Sequence, residues 1–332
     1  MHNLKFSSRL NSFFTEPNYF WDESKESIST LDLIERMSKV EGLTHVELNY
    51  PQHFEGVTID QIKEKLQELD LQVSGIALRY DQTFYKGEFT NSDDSIRQKA
   101  ITLTEEAIDI CNELGGSVTT IWMANDGFDY SFQLNYQEAW NMQVEAIREV
   151  AQKNPTSQIS IEYKPYQPRA FTLFSDIGTT LLGIEDINCD NVGITLDLCH
   201  MLMKKENPAL SLALAQSRGK LMGVHLNDGY QDNDDGMMLS SVHFMQTLEF
   251  IYYLKKYNYD GLIYFDTFPV REDPIKECET NIKVFKQMSE LIDKIGVEHI
   301  AQMIQNKDSI ESQNMLLTIL NTFTADQVQI SQ

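Results

Sequence analysis

Four stretches in the second half of the chain end an apolar or β-branched run on a side chain that can bind a cation or move a proton. ISIEYKP brings Glu162 and Lys164, TLDLCH brings Asp197 and His200, GVHLND brings His225, and YFDTFP brings Asp266. The third runs on into DGYQDNDDG, with Asp228, Asp232, Asp234 and Asp235. Taken singly, each charge is where a strand meets water, a histidine is a hydrogen-bonded structural residue, and the acidic loop is a solvated turn. Taken jointly they read differently. Each follows residues among which an unpaired charge is expensive, and Glu162, Asp197, His225 and Asp266 form a donor set for a hard or borderline divalent ion. His200, three residues past Asp197, together with Asp232 and Asp234 at alternate loop positions, points to a second ion.

These side chains converge only if the strands that carry them are neighbours. β-type runs near 6–13, 44–50, 72–80, 117–125, 158–165, 191–200, 221–228 and 261–269 alternate with helical periodicities. Thr58–Leu69 sets Ile59, Ile62, Leu66 and Leu69 on one stripe. Asp93–Leu114 (opened by Asn91-Ser-Asp-Asp), Asn135–Gln152, His243–Tyr257 and Pro274–Ile295 repeat the pattern at greater length. Helices between strands imply parallel pairing. Eight strands close a (β/α)8 TIM barrel, whose chemistry sits at the C-terminal strand ends. The competitor, an open doubly wound sheet, lacks the GxGxxG or Walker-type loop that would support it. The expectation is an α/β chain with the barrel at 1–295 and a helical C-terminal extension at 296–332. Met303, Ile304, Met315, Leu316, Ile319 and Leu320 of that tail need cover, from the barrel or from a neighbouring subunit; the second choice implies a homo-oligomer, dimer or tetramer.

The chain has 332 residues, 27 Lys+Arg against 50 Asp+Glu, a net charge of −23, and 42% hydrophobic residues, enough for a folded core. A polyanion repels nucleic acid and acidic membrane surfaces, so neither is an expected partner. Cys111, Cys189, Cys199 and Cys278 form no C-x-x-C pair, which argues against a disulfide framework or thiolate zinc and fits a reducing cytosol. No run has the length and apolarity of a signal peptide or membrane span, and the expectation is a soluble, cytoplasmic protein.

The order E-x-K, D-x-x-H, H-x-N-D with its Asp-rich loop, then a terminal Asp, resembles the xylose isomerase-like TIM-barrel superfamily, and within it the L-rhamnose isomerase type of aldose–ketose isomerase. The resemblance spans about Phe6 to Ile295. It implies a structural metal on Glu162, Asp197, His225 and Asp266, and a catalytic metal on His200, Asp232 and Asp234. It further implies Lys164 on the substrate and Trp122 as the stacking tryptophan, with Lys164, Asp232 and His200 as the catalytic set. The implied cofactor is Mn2+, with Mg2+, Co2+ or Zn2+ as alternatives, one or two per chain, and the implied partner is a small sugar. The reaction would be a hydride shift from C2 to C1 of an open-chain aldose, Lys164 polarising O1, with Phe13 and Trp21 as further apolar walls.

Two departures from that pattern stand out. A ring-opening histidine after the third strand is missing; the segment reads YKGEFTNSDD, which puts Asn91 forward as the substrate contact there. The loop after His225 is about one residue shorter, so Asp228 and Asp235 compete with Asp232 and Asp234. A ketose 3-epimerase of the same superfamily shares Glu162, Asp197, His200 and His225, but ends in Glu where Asp266 stands and lacks the Lys and the acidic loop. A sugar-binding barrel without turnover is the non-enzymatic alternative. The superfamily's DNA-repair endonucleases are disfavoured by the charge of −23. Arg9, Arg79, Arg169 and Arg271 lie near strand ends and read first as neutralising the acidic rim, and second as contacts for an anionic group.

Overall fold

The computed structural model describes residues 4–15 and 28–325. Eight strands form a closed, all-parallel barrel in which each pairs with its sequence neighbours. They are β1 (Phe6–Arg9), β2 (His45–Tyr50), β3 (Gln72–Leu78), β4 (Val118–Ile121), β5 (Ile159–Glu162), β6 (Val192–Asp197), β7 (Leu221–Leu226) and β8 (Ile263–Phe265). β1 closes the ring on β8 through Phe6↔Ile263 and Ser8↔Phe265.

Side chains alternate across a strand with a period of two. In β5, Ile159 and Ile161 are fully buried towards the helices while Ser160 and Glu162 take the other face. β6 continues the rule: the Thr195 hydroxyl meets that of Ser160 at 2.6 Å inside the barrel, and Asp197 follows on the same side. In β7 and β8, His225 and Tyr264 meet ring to ring at 4.2 Å. On the outer face, Phe6 stacks on Phe265 at 6.0 Å and meets the edge of Phe285. The apolar positions therefore cement strands to helices, and the barrel's inner layer is polar.

The helices are α1 (Thr30–Met37), α2 (Ile59–Glu68), α3 (Asp94–Glu113), α4 (Tyr136–Lys153), α5 (Ile177–Ile187), α6 (Leu198–Met203), α7 (Pro208–Ser217), α8 (Phe244–Lys256) and α9 (Pro274–Ile295), then α10 (Val297–Asn306) and α11 (Ser309–Ala325). Their starts are fixed chemically: Ser29 and Thr58 close capping boxes with Asp32 and Gln61, and Asp93 and Asn135 accept first-turn N–H bonds. Two runs expected as strands break early. Residues 6–13 turn into a 3-10 helix at Leu10–Phe14, and 191–200 gives way after Asp197 to α6, because the Asp197 carboxylate caps the first turn of that helix. A two-stranded antiparallel pair, Gly127–Phe128 with Phe171–Thr172, joins the loops after β4 and β5. The chain divides into two compact units, residues 1–285 and 286–332, with the division inside α9. No helix among the described residues is long and apolar enough to cross a membrane.

Candidate active site

The register of the last four strands brings their ends together. Asp197 stands opposite His225 across β6 and β7, Glu162 pairs with Thr195, and Asp266 follows β8 directly. One ligand atom from each of Glu162, Asp197, His225 and Asp266 lies within 4.8 Å of all the others. Their exposures are 5%, 1%, 5% and 7%, so three carboxylates share a site that water barely reaches. His225 Nδ1 is 3.2 Å from Glu162 Oε1.

A second group, Asp197, His200 and Asp234, shares Asp197 with the first and satisfies the same distance limit. The capping bond from His200 N to Asp197 Oδ1, 2.9 Å, holds these two residues on one helical turn. His200 Nδ1 is 3.0 Å from the Tyr163 carbonyl oxygen, which only accepts, so Nδ1 carries a proton and Nε2 faces Asp234 Oδ2 at 3.2 Å. Lys164 is buried and reaches the same Asp234 oxygen at 2.9 Å. Its ammonium lies 5.2 Å from the centre of the Trp122 ring.

Three expectations need correction. Asp232 is exposed and stands apart from both groups. The alternate-position argument assumed an extended loop, but Gln231 has φ +77°, and Tyr166 Oη donates to the carbonyls of both Gln231 and Asp232. The competing loop acids are also committed elsewhere: Asp228 accepts from Val242 N, His243 N and His243 Nδ1, each at 2.8 Å, and Asp235 accepts from Tyr230 N. Asn91 is buried and its amide is used locally, Nδ2 on the Gly87 carbonyl and Oδ1 on Asp93 N. That loop is latched by Asp126, which accepts the N–H groups of Glu88, Phe89 and Thr90. Phe13 is fully buried and belongs to the core. Trp21 lies outside the described residues.

Burial alone would push the Glu162 carboxyl up, but the adjoining His225, with His200 and Arg79, holds it down to about 2. For the imidazoles burial works the other way and loses. Glu162, Glu47 and Asp266 raise His225 to about 10, and Asp197, Asp234 and Glu162 raise His200 to about 9. Burial carries Asp197 up to about 7, against the pull of His200. Asp266 is raised by burial, with Arg9 opposing. Asp234 falls well below the usual carboxylate range because His200 and Lys164 overcome its burial. In the metal-free protein, protons on the two histidines offset part of the carboxylate charge.

The donor set fits a divalent ion on a further observation: Asp266 Oδ1 and Asp234 Oδ1, one in each group, are buried without a hydrogen-bond donor. Arg9 Nε stands 3.6 Å from Asp266 Oδ1, an ion pair beyond hydrogen-bond reach. Asn227 is a site residue that the strand-end reasoning passed over. Its Nδ2 donates to Asp197 Oδ2 at 3.0 Å and to the Asp266 carbonyl at 3.1 Å, and its Oδ1 accepts from Cys199 N. The signal was present, since Asn227 lies two residues past His225 and so shares its inward face.

Residues 35–295 match the family model for the xylose isomerase-like TIM barrel. This chain belongs to that family. A xylose isomerase of Thermus thermophilus is 24% identical over 223 residues, 65% of this chain and 58% of that protein; the xylose isomerase-like barrel thus spans little more than half the length of its curated relative. Among solved structures it is similar to an L-ribulose 3-epimerase, with a TM-score of 0.69 and 16% identity over 91% of this chain and 98% of that one. A D-allulose 3-epimerase from Methylomonas sp. gives 0.68 and 18%, over 86% and 97%. At such identities the structural likeness establishes the fold alone.

Proposed function

We propose that this barrel is a divalent-metal-dependent sugar isomerase that interconverts an aldose and its ketose by moving a hydrogen between C1 and C2. The observation that carries the reading is the placement of Lys164, a buried ammonium bonded to Asp234 and facing Trp122, beside two groups of metal-type ligands that share Asp197. Glu162, Asp197, His225 and Asp266 would hold one ion, and Asp197, His200 and Asp234 a second. A divalent ion at these groups supplies Lewis acidity that stabilises negative charge on sugar oxygens.

The chain's own groups do the rest. Lys164 donates to O1 as an ammonium paired with Asp234. His200, its Nδ1 proton fixed on the Tyr163 carbonyl, would present Nε2 as a ligand atom of the second group and so orient that group rather than accept a proton. Trp122 presents an apolar ring to the C–H face of the sugar and keeps water from the reacting carbons. The hydrogen then crosses with its electron pair from C2 to C1, O2 becomes the carbonyl oxygen, and O1 takes a proton from Lys164, which is restored by the proton that left O2.

Turnover of an aldose panel in D2O by the Mn2+-loaded protein tests this. The ketose should form with little solvent deuterium at C1. Extensive incorporation at C1 replaces the hydride shift by proton transfer, exchange at C3 of a ketose moves the reading to 3-epimerisation, and no turnover of any sugar removes it.

A further inference from the structure

We infer that the substrate is an anionic sugar, its charged end seated against Arg79 in the cavity between the loops after β2 and β3 and the first turns of α3. The inference rests on the isomerase reading for where the carbonyl end lies. Three of the four rim arginines are accounted for. Arg9 pairs with Asp266 at 3.6 Å, Arg169 pairs with Asp129 at 2.9 Å, and Arg271 is exposed. Arg79 differs. It follows β3 and is only half-exposed; its guanidinium lies 5.6 Å from the centre of the Trp122 ring, and among the described residues no carboxylate pairs with it.

Arg79 is thus a cation beside the apolar wall of the site that no carboxylate among the described residues approaches to ion-pair distance, in a protein whose net charge is −23. Desolvating a guanidinium against an indole without a carboxylate is worthwhile where an anion arrives to meet it.

Arg79 also lines a cavity of about 410 Å3. Lys99 is a second cation on its wall, and Thr83, Ser95 and Gln98 add polar groups. Its two acids are already engaged, Asp81 by Thr83 N at 2.7 Å and Glu106 by Tyr50 Oη at 2.8 Å. Arg79 and Lys164 both face Trp122, so they are no farther apart than the two ring distances laid end to end. A six-carbon chain with a terminal tetrahedral oxyanion spans that gap, its carbonyl end at Lys164. The chemical class is a sugar phosphate or a sugar sulfonate.

The test uses Mn2+-loaded protein and one aldose in three forms: the neutral parent, its 6-phosphate and its 6-deoxy-6-sulfonate. At least one anionic form should exceed the parent in kcat/KM, and Arg79→Gln should cut that preference by about 30-fold, the scale of a charge-assisted hydrogen bond, with Arg79→Lys keeping part of it. A parent turned over as well as both anions, or a preference unmoved in folded R79Q, overturns the inference. Calorimetric titration of the same three sugars separates it from the isomerase reading. Arg79-dependent binding of an anionic sugar without turnover of any form leaves the anion seat standing and sinks the isomerisation. Failure of both anions to bind more tightly than the parent overturns the seat, whatever the turnover.

Discussion

At the scale of single residues, Asn227 joins three parts of the site. One amide steadies the carboxylate of Asp197 and the backbone that carries Asp266, and anchors the start of α6 through Cys199 N. Groups of this kind orient ligands and are typically worth about 10- to 100-fold in metal affinity. Asn227→Ala should weaken Mn2+ by that order in a calorimetric titration, while Asn233→Ala, on the exposed part of the same loop, should leave it unchanged. Equal affinities for the two variants would reduce Asn227 to packing. The histidines set a second expectation. Since His225 and His200 rise to about 10 and about 9, both hold protons at neutral pH in the metal-free chain, and an ion that takes them as ligands must displace those protons. Mn2+ affinity should therefore climb with pH from 6 towards 9, with proton release seen as a dependence of binding heat on the buffer. The folding sign is the opposite one. A histidine raised in the folded state stabilises it fully below about pH 6.5 and loses that contribution as pH passes through 9 to 10. Melting of the metal-free protein should fall on alkalinisation, and a flat profile up to pH 10 would contradict the pairing with Glu162 and Asp197.

At the scale of elements, the strand ends were legible because a period of two leaves little choice. Once Ile159, Ile161, Leu196, Val224 and Phe265 are needed outside against helices, Glu162, Asp197, His225 and Asp266 have only the inner face. The loop after β7 offered no such rule. Whether Asp232 or Asp234 turns inward depends on the left-handed Gln231 and on a tyrosine sixty-odd positions earlier, Tyr166, gripping the loop carbonyls. Neither signal is local, and the i, i+2 alternation that works for strands fails there. Asn91 was misread for a similar reason, since the latch on its loop comes from Asp126, after β4. Tight strand contact is also invisible in composition. Gly75 sits where a Cβ would come 2.4 Å from the Val118 carbonyl oxygen and 3.2 Å from Val118 Cγ1. Backbone cannot yield as a side-chain tip can, so Gly75→Ala should force β3 from β4 at a cost of about 1–3 kcal/mol. The check is a melting temperature lowered by several degrees; an unchanged one would mean that the two strands part without penalty.

At the scale of the molecule, three of the last four strands of the ring end on carboxylates, and the barrel holds them together only as long as something positive stands among them. A divalent ion that binds the folded site and not the unfolded chain stabilises the fold by mass action, by about 4 kcal/mol when its concentration is a thousandfold above Kd. The stabilisation has a definite address. Glu162→Gln removes one ligand charge and the partner of His225 without changing side-chain volume, so it should abolish most of the Mn2+-dependent rise in melting temperature. Asp232→Asn, in the exposed loop position, should retain that rise in full. Calorimetric melts of the three proteins, each with chelator and with Mn2+, decide the matter. A wild-type transition indifferent to Mn2+, or a rise that persists undiminished in E162Q, would show that these four strand ends are held by protons alone, and the sugar chemistry assigned to them would have no ion on which to rest.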